Sequence, residues 1–305
     1  MGRDFIAINW GSSNFRAYLM DDSGNVLDTF TEAAGIASLD RAGMATQIER
    51  LGQRWGDAGD IYACGMIGSN IGWEDAGYVD CPAGLGTLLA GLRTTSIAHR
   101  RMHIVPGLAC RRASDGAPDI MRGEETELFG LLHSGRLPED GLVALPGTHG
   151  KWVVIADGHV VEFMTAMSGE IFDRLTTQGL LSSIVQEPAT IGPAFDEGVR
   201  TGHAGTLGLG TLLFGARARV IRNTLSRSDA ASYLRGLLIG AEIADACSLY
   251  PSELVRPILL VGHSAVCSMY AHALTLLGMN ACVIDAADAT VRGFAALHAS
   301  IGAHA

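Results

Sequence analysis

Residues 5–17 read "FIAINWGSSNFRA", an apolar run that enters a turn of glycine, serines and asparagine and leaves as a second run. Residues 142–154, "LVALPGTHGKWVV", repeat that plan. Extending both passages aligns 5–35 with 142–169: Gly11-Ser12 matches Gly147-Thr148, Gly24 matches Gly158, and Gly35 matches Gly169. Each copy reads strand, polar turn, strand, Asp/Gly hairpin, strand, the hairpin turns being Asp21–Gly24 and Ala156–Gly158. A repeat this long makes one architecture used twice the reading that decides the fold.

Outward from the first copy, hydrophobic spacing predicts a helix over 43–55, strands over 61–65 and 102–107, and a helix over 124–132. After the second copy it predicts helices over 170–181, 207–222, 229–249, 265–277 and 289–301, with strands over 257–262 and 281–285. The fold class is therefore α/β: two duplicated domains, each a mixed sheet with a three-stranded meander flanked by helices, and a cleft between them. The expected boundaries are 1–140 and 141–305, with the C-terminal helix, 289–303, packing back on the first domain.

Bulk properties agree with this plan. A chain of 305 residues, 48% hydrophobic and 18% charged, suits two medium globular domains. A net charge of -10 argues against a nucleic-acid surface and against an anionic membrane, while a few cations in one cleft can still draw an anionic small molecule. No apolar run reaches about 18 residues and no secretory pattern opens the chain, so a cytoplasmic protein is expected. The cysteines at 64, 81, 110, 247, 267 and 282 form no CxxC pair or zinc spacing, which reads as scattered reduced thiols. The histidines likewise lie in no metal-ligand spacing.

A short turn of Gly, Ser and Thr offers backbone N–H groups and hydroxyls to phosphate oxygens. Gly11, Ser12, Ser13 and Asn14 would form one such jaw; Gly147, Thr148, His149 and Gly150 would form the other, with Lys151 adding a cation. Either turn alone reads equally as a plain hairpin, and their pairing gives the specificity. A third turn, "VGHSA" at 261–265, follows a strand where α/β sheets place ligands; Gly262 permits close approach, and Ser264 either contacts nucleotide or caps the next helix. In "IMRGEETELFGLL", residues 120–132, Arg122, Glu124, Glu125 and Glu127 crowd a helix start, where acids suit the dipole. One of them can also take the proton of an attacking hydroxyl: Glu124 is the first choice and Glu125 the alternative. "GMIGSNIGWED", residues 65–75, sets Ser69 and Asn70 beside Trp73, groups that suit a polyhydroxylated substrate.

Taken together, "INWGSSNFRA", "GMIGSNIGW", "IMRGEETEL", "PGTHGKWV" and "LLIGAE" resemble the 2-dehydro-3-deoxygalactonokinase family, sugar-acid kinases of the actin-like ATPase and sugar kinase superfamily. The similar segments run from residue 6 to about 293. The resemblance implies a ribonuclease H-like fold in both domains and ATP- and Mg2+-dependent phosphorylation of 2-dehydro-3-deoxy-D-galactonate at its 6-hydroxyl, in galactonate or galactose catabolism. It makes the first domain the sugar-acid binder and the second the nucleotide binder, leaving a homodimer open as the assembly. Carried over by position, the first phosphate turn is Asn9 through Asn14, the second Gly147 through Lys151, and the nucleotide-side turn Gly262 to Ser264. Arg16 and Arg122 are the candidates for the substrate carboxylate, a role a guanidinium fork suits.

Two positions depart from the resemblance. The family turn begins with Asp at the metal position, where this chain has Asn9, and commonly carries Cys or Ser where it has Gly150. Three readings follow for Asn9: the metal rides on the ATP phosphates, another carboxylate substitutes, or the site is catalytically weak. The alternatives to the galactonate kinase are thus a regulatory nucleotide- or sugar-binding protein on the same fold, or a kinase for the gluconate-derived epimer.

Overall fold

The computed structural model describes residues 4–56, 58–284, 286 and 288–302. Outside the described residues lie the outer ends of the two expected domains, 1–3 and 303–305, the last position of the expected helix 289–303, and Asp285 of the expected strand 281–285.

The first meander is β1 (Phe5–Trp10), β2 (Phe15–Met20) and β3 (Val26–Glu32), followed by α1 (Arg41–Trp55) and β4 (Ile61–Gly65). Next come β5 (Tyr78–Asp80), α2 (Leu85–Ala90), β6 (Arg93–Ile97), β7 (Arg100–Ile104), β8 (Gly107–Arg111), β9 (Pro118–Met121) and α3 (Glu124–His133). The second meander is β10 (Gly141–Leu145), β11 (Gly150–Ala156) and β12 (His159–Ala166). It leads through α4 (Ser168–Thr177), α5 (Pro193–His203), α6 (Leu209–Ile221) and α7 (Ala230–Leu249) to β13 (Ile258–Val261), α8 (Ser264–Leu276), β14 (Ala281–Ile284) and α9 (Ala289–Gly302).

Two sheets share one strand plan. Their orders are β3-β2-β1-β4-β7-β6 and β12-β11-β10-β13-β14, and β5-β8-β9 forms a small third sheet. In both large sheets the meander's first strand has a parallel partner, β4 beside β1 and β13 beside β10, and a further parallel strand lies beyond it. The duplicated α/β architecture is thus written in the strand order. Two compact units result, one of residues 4–140, 155–162 and 286–302, the other of 141–154 and 163–284. Where a single cut after residue 140 is expected, two later segments return to the first unit.

Alternation along β1 shows why this unit forms. Ile6, Ile8 and Trp10 point into a core with Phe15, Ala17, Met44, Ile48 and Leu51. Phe5, on the other face, stacks on His298 of α9 at 4.0 Å between ring centres. Helix α9 also meets α3 closely enough that a Cβ on Gly130 would overlap the Gly293 backbone. In the second unit, Gly198 and Gly202 of α5 face Gly236 and Gly240 of α7, and a Cβ on any of the four would overlap backbone of the opposite helix.

Several elements differ from expectation. The strand predicted over 102–107 ends at Ile104, because Pro106 lacks an N–H for the ladder, and Gly107 starts a strand of the small sheet. The helix predicted over 170–181 ends at Thr177, ahead of Gly179, whose φ of 78° is left-handed. Helices α2 and α5, strand β6 and the small sheet were not expected. All six cysteines are free, and no helix among the described residues is long and apolar enough to cross a membrane.

Candidate functional site

In the first unit the predicted residues gather at the carboxyl ends of β1 and β4 and at the start of α3. Asn9 is paired in register with Arg16 on β2 and Cys64 on β4. The strand β4 then ends at Gly65, whose φ of 89° only glycine adopts readily. A Cβ on Gly65 would lie 2.8 Å from the Trp10 carbonyl oxygen and 3.6 Å from Asn9 Oδ1, and Gly123, before α3, packs directly on Gly65. Glycine at both places brings the acidic helix start beside Asn9.

The first turn is closed by a hydrogen bond from Gly11 N–H to the Asn14 carbonyl, 2.9 Å. Residues behind it use the turn's other carbonyls, Ile36 donating to Gly11 and Ala37 to Ser12, both at 3.0 Å. Ser12, Ser13 and Asn14 are exposed. The turn sits so tightly on Gly35 that a Cβ there would overlap the Ser12 carbonyl. In the second unit Gly169 holds the turn after β10 in the same way: its Cβ would overlap the Gly147 carbonyl, and Glu170 N–H donates to Thr148 at 2.9 Å. The third glycine of the sequence repeat is therefore the seat of each turn.

Burial separates the acids of α3. Glu125 is buried, accepting from Gly123 N–H at 2.5 Å and from the Thr126 hydroxyl at 3.3 Å. Desolvation, with the Glu124 charge next to it, pushes its carboxyl up to about 8. Glu124 is only half-buried. Glu127 accepts from Thr290 of α9 at 3.0 Å, and burial raises its carboxyl as well. Buried Cys64 faces these acids, its thiol pushed well up by desolvation.

The two arginines differ equally. Arg16 is exposed, with the Tyr18 hydroxyl and Glu127 as neighbours. Arg122 is wrapped by the loop after β4: it donates to the Gly77 carbonyl at 2.9 Å, pairs with Asp75 at 3.9 Å and lies over the Tyr78 ring at 4.5 Å. A Cβ on Gly68 would come within 3.0 Å of its Nη1. On the same loop Ser69 is buried, donating to the Met66 carbonyl at 2.7 Å, whereas Asn70 is exposed. Trp73 does not offer both ring faces to a substrate, because the Arg41 guanidinium covers one at 4.0 Å and donates to the Trp73 carbonyl.

Around the second turn, Thr148 and His149 are exposed, Gly147 is half-buried, and Gly150 and Lys151 are buried. His149 Nε2 lies 2.6 Å from Glu170, and this hydrogen bond lowers the Glu170 carboxyl. Lys151 Nζ donates to the His149 carbonyl at 3.3 Å, bracing the turn from within. Gly262 brings the third turn against the second, since a Cβ on it would lie 3.4 Å from the Pro146 carbonyl oxygen. The capping reading of Ser264 is corrected: His263 occupies the cap with extended angles, and Ser264, exposed, is already the first helical residue.

Sequence reasoning missed Arg41, and above all Glu242 of α7. Glu242 is a buried carboxylate behind the second turn, and its signal was an acid in an otherwise apolar helical run, "LLIGAE". Burial raises its carboxyl against three hydrogen bonds that favour the charge. No group of three His, Cys, Asp or Glu able to hold a metal occurs among the described residues. What the two units present is a pair of matched turns, each seated on a glycine, with a carboxylate-rich helix start beside the first.

The comparisons agree across the whole chain. The family model for 2-keto-3-deoxy-galactonokinase matches residues 9–297. A probable 2-dehydro-3-deoxygalactonokinase of Rhizobium meliloti is 36% identical over 298 residues, covering 96% of this chain and 95% of the relative. The 2-dehydro-3-deoxygalactonokinase of Escherichia coli K12 is 31% identical over 277 residues, 90% and 91% of the two chains. The crystal structure of a candidate 2-dehydro-3-deoxygalactonokinase from Sinorhizobium meliloti superposes with a TM-score of 0.88 at 34% identity, covering 97% of this chain and 99% of that one. With a family model over most of its length and two relatives more than 30% identical over at least 90% of both chains, the chain belongs to the 2-keto-3-deoxy-galactonokinase family and is a sugar-acid kinase.

Proposed function

We propose that the chain transfers the terminal phosphoryl group of ATP to the 6-hydroxyl of 2-dehydro-3-deoxy-D-galactonate, as a step of galactonate breakdown in the cytoplasm. The observation that carries this reading is the repetition of one turn on one glycine seat in each unit. The first unit binds the sugar acid and the second the nucleotide, each turn offering amides and hydroxyls to phosphate oxygens. The fit is steric as well as chemical: a Cβ on Gly147 would meet nothing within 4 Å, so that flank of the turn is open to a ligand.

Glu124 is the proton acceptor in this mechanism. It is the more accessible of the two adjacent carboxylates, whereas Glu125 is buried in bonds to Gly123 and Thr126. The 6-oxygen forms its bond to phosphorus as the bond to the ADP oxygen breaks, and its proton passes to Glu124. Arg16, the exposed guanidinium, pairs with the substrate carboxylate, and Arg122 holds the loop that carries Asn70. Asn9 would offer a magnesium ion only a neutral amide oxygen, and the ion's chemistry there would be to offset the charge of the ATP phosphates.

The test is ATP consumption across a panel of galactonate- and gluconate-derived 2-keto-3-deoxy acids. The galactonate-derived acid should give the highest kcat/KM, and Glu124→Gln should cut kcat about 100-fold or more with KM for ATP within about twofold. Preference for the gluconate epimer would overturn the substrate, no stimulation by any acid would favour a regulator, and near-normal turnover in Glu124→Gln would remove its role.

A further inference from the structure

Glu242 lies in the interior of the second unit, 3% exposed, and three side chains from three elements donate to it. Trp152 Nε1 of β11 reaches Oε1 at 2.8 Å, the Tyr270 hydroxyl of α8 reaches Oε2 at 2.8 Å, and the Ser168 hydroxyl of α4 also donates to Oε2. Each donor is tied to one of the turns. Trp152 stands two residues past Gly150; Ser168 precedes Gly169, the seat of Gly147 and Thr148; Tyr270 stands on the helix that begins at Ser264. The carboxylate also presses on the turn directly, since a Cβ on Gly150 would lie 2.8 Å from Glu242 Oε1.

Stability alone does not call for such a group, because well-packed apolar residues serve a core at least as well as a buried charge. What a single carboxylate with three fixed donors adds is geometry: its bonds are directional, and they converge from the strand after the turn, the helix that seats the turn and the helix behind the third turn. We propose that Glu242 is a positioning residue of the kinase reaction, holding the 147–150 turn and the 262–264 turn at the spacing the nucleotide phosphates require. It acts through Trp152, Ser168 and Tyr270 and touches no reacting atom. The proposal rests on the reading of 147–151 as a phosphate turn.

The test compares Glu242→Gln, Ser168→Ala and Tyr270→Phe in the full chain. Glu242→Gln keeps the volume and one acceptor oxygen, and should raise KM for ATP about tenfold, with the same loss in calorimetric binding of a non-hydrolysable ATP analogue. KM for the sugar acid should stay within about twofold. Ser168→Ala should give a smaller change of the same kind, and adding it to Glu242→Gln should add little, because both cut one tether. An unchanged KM for ATP in the folded Gln variant overturns the proposal, as does an equal rise in both KM values with a fall in Tm. If Glu242→Gln does not fold, Ser168→Ala and Tyr270→Phe carry the same comparison. Gly147→Ala separates the premise from the inference: an unchanged KM for ATP there refutes the phosphate turn itself, whereas a rise there without one in Glu242→Gln refutes only the positioning role.

Discussion

Glu125 holds the proton that its surroundings make hard to lose. Its carboxyl titrates near 8 in the folded chain and at the ordinary carboxylate value when unfolded, so between those two values the unfolded state binds fewer protons. Stability falls as pH rises through that window, and the loss is complete above about 8. Glu125→Gln keeps a neutral side chain that can accept from Gly123 and removes the slope. The variant's Tm should gain on the parent's steadily from pH 5 to pH 8, and parallel curves would contradict this ionisation. Asn9 belongs to the same balance. Three acids already stand at the start of α3, where burial makes ionisation costly, and an aspartate at position 9 would add a further acid near them. That Asn9 departs from the pattern of the family is legible in the sequence; what the neutral amide spares is not, because only folding brings Gly65 and Gly123 together next to it.

At the scale of elements, the glycine seat is the sharpest feature. Gly35→Ala and Gly169→Ala should each displace their turn, lowering stability by about 1–3 kcal/mol in denaturant titration and weakening binding of an ATP analogue. Alanine at Gly147, with open space around it, should leave stability near the parent's. If the Gly169 variant keeps both stability and nucleotide affinity, the seat has no mechanical role. The seats were legible because a turn and its prop lie within one repeat, and alignment of two copies exposes a shared glycine without any tertiary knowledge. Helix contacts were not. The four glycines between α5 and α7 carry no local signature of their partner, and the two inside α5, poor helix formers, mask the helix itself. Trp73 shows the same limit at a site: its aromatic ring is plain in the sequence, but Arg41, 32 positions away, takes one of its faces.

For the whole molecule, the strand order repeats more exactly than the residues do. Two sheets that share the succession third, second, first, then two parallel strands make the duplication visible even where side chains have diverged, as between Ser12 and Thr148. The units interleave along the chain: α9 follows the entire second unit in sequence and belongs to the first. Removing residues 286–305 would strip the partner from Gly130 of α3, the stacking ring from Phe5 and the hydroxyl from Glu127. Such a truncated chain should show a large loss of thermal stability and no sugar-acid-dependent ATP consumption. Activity near that of the full chain would show that α3 holds its carboxylates without α9.

The place of α9 in the chain orders events during synthesis. On the ribosome, residues 124–133 emerge early, but the helix that shields Glu127 and packs across Gly130 follows only after more than 150 further residues have been made. The acidic start of α3 thus waits for its packing partner while the second unit is being translated, and products interrupted before α9 leave Glu127 without the Thr290 hydroxyl.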